Sequence, residues 1–202
     1  LELLSHNAES PEATRHVFKG RTSDVLYRQI VLGAEADGDE QTALVLALHD
    51  RPRSGSCNVR QMTMPMLRTL TSYAQAHGGR VVILVPQCPG GRENAWAGTK
   101  KRPEDGLLDG VAALVRAKKD EFHVPPSRTF VAGAEVGGDA CWPLLTHHPD
   151  LFARALVAGA RPMPETLQQK VSTDIRVYPG LNHKTVVESA FPDADWNWLF
   201  GD

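Results

Sequence analysis

The sequence predicts an α/β fold in which a mostly parallel sheet is covered by helices on both faces. Two continuous apolar runs of strand length, Ala43-Leu44-Val45-Leu46-Ala47-Leu48 and Val81-Val82-Ile83-Leu84-Val85, show no polar alternation. Strands buried on both faces of a parallel sheet read this way. Segments with apolar residues at helical spacing lie between these runs and three further short strands, and that alternation is the mark of a parallel, helix-covered sheet.

Each element follows in chain order. Residues 1–14 are polar and read as a tail or an edge segment, leaving residues 15–202 for a single domain. Val25–Leu32 is β-rich and partly alternating, so it is expected to pair antiparallel with residues 16–18. The acidic, Gly-containing run 33–40 is a surface turn. The first apolar run ends in the turn-rich loop His49-Asp50-Arg51-Pro52-Arg53-Ser54-Gly55-Ser56. Met66, Leu70, Tyr73 and Ala74 then recur at helical spacing until Gly78-Gly79 stops the helix. Met62 and Met64 join Met66 on its apolar face. The second run leads into a long loop over residues 86–103, and Leu107, Leu108, Val111, Leu114 and Val115 mark the next helix. Residues 129–132, 155–158 and 175–178 are the remaining strands, with a helix bounded near His148-Pro149 between the first two. Trp196, Trp198, Leu199 and Phe200 predict a short terminal helix docked on the core. In such a sheet, ligands bind at the carboxyl ends of the strands. The loops after Leu48, Val85, Ala132 and Tyr178 should share that edge.

Composition narrows the function classes. The 202 residues are 42% hydrophobic and 23% charged, with a net charge of −2, as in an ordinary soluble domain. That charge supplies no attraction to nucleic acid or to an anionic membrane surface. No apolar run is long enough to span a bilayer. The first residues lack a basic stretch followed by an apolar one, so they do not read as an intact secretory signal, and without an initiator Met the chain reads as processed or trimmed. Cys57, Cys88 and Cys141 are well separated and odd in number, which points to reduced thiols and a cytoplasmic location. No His/Cys/Asp/Glu cluster has metal spacing, and no cofactor is expected.

Several segments resemble one family in the same order along nearly the whole chain. Leu48-His49-Asp50 before a Gly/Ser loop is similar to the strand-then-His-Gly segment of α/β-hydrolases. Val85-Pro86-Gln87-Cys88-Pro89 resembles the "APQCP"-like segment of their phospholipase/carboxylesterase and feruloyl-esterase-like branch. Arg128-Thr129-Phe130-Val131-Ala132-Gly133, leading to Gly137-Gly138 and then Pro149-Asp150-Leu151-Phe152-Ala153, resembles that branch's strand, nucleophile elbow and following helix. Val177-Tyr178-Pro179-Gly180-Leu181-Asn182-His183 resembles the "YPGxGH" segment that carries its catalytic histidine. The resemblance implies an esterase-type site with His183 as base and the backbone N–H groups of Arg51 and Val136 as oxyanion donors.

The pattern breaks at the chemistry. Gly133 and Gly137 keep the G-x-S-x-G spacing, but the central residue is Glu135. A carboxylate cannot be activated by deprotonation as a serine hydroxyl is, and it puts charge beside the developing oxyanion. The family's acid follows a strand lying between the equivalents of Ala158 and Ile175. Only residues 159–174 separate those strands here, so one strand-helix unit near the C-terminus reads as deleted, and Asp174 does not replace its acid. Asp50 also stands where the family has glycine.

Two function classes follow. One is an esterase homologue that has lost serine hydrolysis and binds a small ester-like ligand or a protein partner. The other is an active ester hydrolase using His183 with Glu135, as covalent nucleophile or general base, or with another group. His183 is a relic of the triad, a working base, or an ion-pair partner of Glu135. His49, Asp50, Cys88 and Trp96 are pocket candidates on the same sheet edge, Trp96 because its loop overhangs the pocket. His49 is expected to anchor its loop. Cys57 or Cys88 as thiol nucleophile is a minor alternative, and Cys141 reads as buried filler. Gly90-Gly91-Arg92 and Lys100-Lys101-Arg102 read as a solvated loop, and His147-His148 as solvated helix-end residues.

Overall fold

A computed structural model of the chain describes residues 12–21, 23–34, 42–77, 79–89, 96, 106–168, 172–178 and 191–201. Alternating side chains make β1 (Ala13–Phe18) and β2 (Val25–Leu32) an antiparallel pair, with Ala13 opposite Ile30 and Phe18 opposite Val25. The first strand thus begins two residues inside the stretch read from sequence as a tail or edge segment. The two apolar runs become β3 (Ala43–Leu48) and β4 (Val81–Pro86), and every residue of both is buried. They are parallel neighbours, as are β3 and β5 (Thr129–Ala134), β5 and β6 (Arg154–Ala158), and β6 and β7 (Asp174–Tyr178). The seven strands form one sheet in the order β1-β2-β4-β3-β5-β6-β7.

Period-two alternation sends each strand's side chains to two different layers. On one face Leu44, Leu46, Leu48, Val82, Leu84 and Val131 pack against α2 (Leu108–Glu121) and α3 (Val136–His147). On the other face Val45, Ala47, Ile83, Phe130 and Ala132 pack against α1 (Pro65–His77) and α5 (Asp193–Phe200). Met64 and Met66 are buried under α1 and Met62 packs against the same layer, as the apolar spacing predicts. Trp196 is wholly buried in α5, while Trp198 is partly exposed beneath the guanidinium groups of Arg154 and Arg176.

Among the described residues of the link between β6 and β7, the four-residue α4 (Glu165–Gln168) is the one helix, and β7 pairs directly with β6. The shortened sheet expected from the spacing of these strands is therefore present. The sequence pattern did not predict α4 or the short 3-10 turns Arg51–Arg53, Arg60–Thr63 and Pro126–Arg128, whose few residues carry no periodic signal.

Candidate functional site at the carboxyl edge of the sheet

Parallel pairing puts the carboxyl ends of β3, β4, β5 and β6 on one edge, and hydrogen bonds between their loops follow. Glu135 links β5 to α3. Its backbone has φ 54° and ψ −116°, a conformation costly for a residue with a side chain. Two main-chain bonds hold it there: its N–H donates to the Ala158 carbonyl at 2.9 Å, and its carbonyl accepts from Asp139 N–H at 2.8 Å. The flanking glycines are demanded by close approach. A Cβ on Gly133 would lie 2.5 Å from the Gly137 carbonyl oxygen, and one on Gly137 only 2.2 Å from that of Leu48. The sharp strand-to-helix turn thus exists because α3 starts against the ends of both β5 and β3.

The turn aims the Glu135 side chain at the loop after β3. Its Oε2 accepts the Arg51 main-chain N–H at 2.9 Å, and its Oε1 lies 3.9 Å from Arg51 Nε. Glu135 and Arg51 are therefore brought together from 84 positions apart. Val136 is buried at the first position of α3. His183 and the basic groups of the long loop lie outside the described residues.

The loop presenting Arg51 is tied from several sides. The buried Asp50 carboxylate pairs with the Arg53 guanidinium across the 3-10 turn. Ser54 N–H donates to the Arg51 carbonyl at 3.0 Å, and Gly55 N–H to that of Cys88 at 2.8 Å. His49 is fully buried. Its Nε2 accepts Cys88 N–H at 2.9 Å while Nδ1 donates to the Asp50 carbonyl at 2.7 Å, which assigns a neutral ring. Burial pushes its pKa below the ordinary 6.5. The anchoring role expected of His49 fits these bonds.

Three pocket candidates sit differently from expectation. Trp96 is wholly buried, and its ring centroid lies 5.0 Å from that of His49. Cys88 is buried as well, and burial pushes its thiol up to about 12, which removes it as a nucleophile near neutrality. Asp50 is consumed by Arg53. Sequence reasoning missed Gln87, whose side chain accepts Asn58 N–H at 2.5 Å and donates to the Arg53 carbonyl at 3.0 Å and to Cys57 Sγ at 3.6 Å. A polar residue immediately after a fully buried strand was the available signal. Cys57 is exposed, and N–H donation from Arg60, Gln87 and Val59 draws its thiol down to about 7.

Elsewhere His148 is not simply solvated: it is half-buried, with Nδ1 3.1 Å from Arg116 Nη2 and Nε2 3.5 Å from Asp109 Oδ1. Among the described residues no group of three His, Cys, Asp or Glu side chains is placed to hold a metal, and no helix is long and apolar enough to cross a membrane.

No protein-family model matches this chain, and no curated protein matches its sequence. Solved structures do match its fold. A thermostable esterase superposes with a TM-score of 0.63 at 19% identity, covering 94% of this chain and 62% of its own. S-formylglutathione hydrolase (FrmB) from Staphylococcus aureus gives 0.53 at 14% identity, over 79% of this chain and 65% of that one. Puromycin hydrolase gives 0.52 at 19%, over 74% and 22%. The chain has an α/β-hydrolase fold in shortened form. It spans less than two thirds of the length of each of these three enzymes.

Proposed function

We propose that this protein is an esterase homologue in which serine hydrolysis has been lost, and that the strand-end site now binds a small ester-like ligand or a protein partner. The observation that carries this reading is the Glu135 carboxylate accepting the Arg51 main-chain N–H at 2.9 Å. In an esterase the group at this turn is a hydroxyl, and the amide equivalent to that of Arg51 holds the oxygen that becomes negative during acyl transfer. Here a carboxylate already engages that donor, so an incoming oxyanion would meet both repulsion and an occupied amide. Loss of one such donor alone costs about 10²–10³ in rate. Loss of the serine itself costs about 10⁶, so the absent hydroxyl is the larger effect and the blocked donor deepens it. The same hydrogen bond also weighs against Glu135 as nucleophile, because donation to a carboxylate stabilises the charge it would have to share with the substrate.

The test is hydrolysis of short-chain aryl esters by the parent protein beside Glu135→Ala, Glu135→Ser and His183→Ala. Parent turnover no faster than buffer is expected, and activity gained by Glu135→Ser would support a surviving site around a lost nucleophile. Parent turnover abolished by both Glu135→Ala and His183→Ala would establish an active hydrolase in its place.

A further inference from the structure

We infer that the Arg51 main-chain N–H and guanidinium form a receptor for a free monocarboxylate, and that Glu135 fills this receptor as a tethered ligand. This rests on reading the turn as a former esterase site, and it replaces the ester-like ligand at the Arg51 donors with a free carboxylate, the hydrolysed form of such an ester.

Two features of one carboxylate are matched. Oε2 takes the main-chain N–H at 2.9 Å while Oε1 faces the guanidinium Nε at 3.9 Å. A planar anion with two equivalent oxygens suits this arrangement, whereas an ester or amide offers one neutral carbonyl oxygen and forfeits the charge on the second.

The receptor also stands without its tethered occupant. The Asp50–Arg53 pair, the Ser54 to Arg51 and Gly55 to Cys88 main-chain bonds, and the Gln87 to Arg53 bond hold the loop. None of them involves Glu135. The Glu135 backbone is likewise pinned by main-chain bonds to Ala158 and Asp139. Shortening that side chain should therefore leave the amide in place and unoccupied. Access is available, because the side chains of Glu135 and Arg51 are 25% and 53% exposed. In the parent, the tethered carboxylate outcompetes a dissolved one through its high effective concentration, and the contact is autoinhibitory.

The experiment is a titration of the ¹⁵N-labelled full chain with sodium acetate, following the Arg51 amide in the parent and in Glu135→Gly. Glycine relieves the positive φ at that turn, and Glu135→Ala serves if Glu135→Gly does not fold. The variant should show a saturable downfield shift of the Arg51 amide, with acetate affinity at least about tenfold above the parent, the factor one charge-assisted hydrogen bond supplies. Methyl acetate and sodium chloride should produce no saturable shift. Adding Arg51→Pro, which deletes the N–H, should abolish acetate-dependent shifts at the neighbouring amides, while Arg51→Ala should only weaken binding. A folded variant whose spectrum ignores acetate, or responds equally to chloride or methyl acetate, overturns the inference. Aryl-ester turnover by the parent is assayed separately. If turnover is found, the lost-hydrolase reading fails while the acetate result still decides the receptor.

Discussion

At the scale of single residues, the three cysteines show how environment separates identical side chains. Cys141 lies inside α3 against the Gly137 carbonyl, and burial pushes its thiol well up. Cys88 is pushed to about 12 by the same cause. Cys57, exposed and surrounded by N–H donors, is drawn to about 7. Since the thiolate is the reacting form, iodoacetamide should modify Cys57 at least about tenfold faster than the other two in the folded protein. Its rate should climb through a midpoint near pH 7. Peptide mass spectrometry after timed quenching measures this, and equal labelling of Cys88 would contradict its burial. Trp96 teaches a related lesson. Its place in a loop read as overhanging the pocket marks it as a ligand contact, yet the ring is wholly buried beside His49, where its large apolar surface is withdrawn from water.

At the scale of elements, the ends of β3 and β4 are joined by one imidazole. His49 receives the Cys88 N–H and donates to the Asp50 carbonyl, so the bond network needs the ring neutral. Burial lowers its folded pKa below 6.5. As pH falls through that value, the unfolded chain takes up the proton while the folded ring does not, so acidification favours unfolding. Stability contributed by neutral His49 is thus complete above about pH 6.5 and drains below it. Urea unfolding at pH 7.5 and 5.5 should show the parent losing more stability on acidification than His49→Gln loses. At pH 7.5 the substitution itself should cost about 2 kcal/mol, from buried partners left unmatched. Equal acid sensitivity in the two proteins would remove His49 as its source. The strands it joins were legible from their unbroken apolar runs, and α1 from its 3.6-residue recurrence. The 3-10 turn that aims Arg51 was not, since three residues carry no period and its shape comes from the Asp50–Arg53 pair.

At the scale of the whole molecule, α5 closes the layer opposite α2 and α3. Trp196 is wholly buried there, packed edge-on to Phe191, and Phe200 stacks on Tyr73 of α1 and meets Phe130 of β5 edge-on. Trp196→Ala should cost about 3–5 kcal/mol, a large share of the stability of a domain this size, with urea denaturation as the measurement. A cost below about 1 kcal/mol would mean that the layer closes without α5. The sequence by itself determined the layered α/β plan, because apolar periodicity is a local property that each strand and helix displays alone. It also determined that a carboxylate stands at the β5–α3 turn. The tertiary structure alone decided what that carboxylate does. Where a flexible Glu135 side chain points, and that it meets an amide 84 residues away, depends on two loops being packed against one sheet edge, and no local pattern encodes that approach.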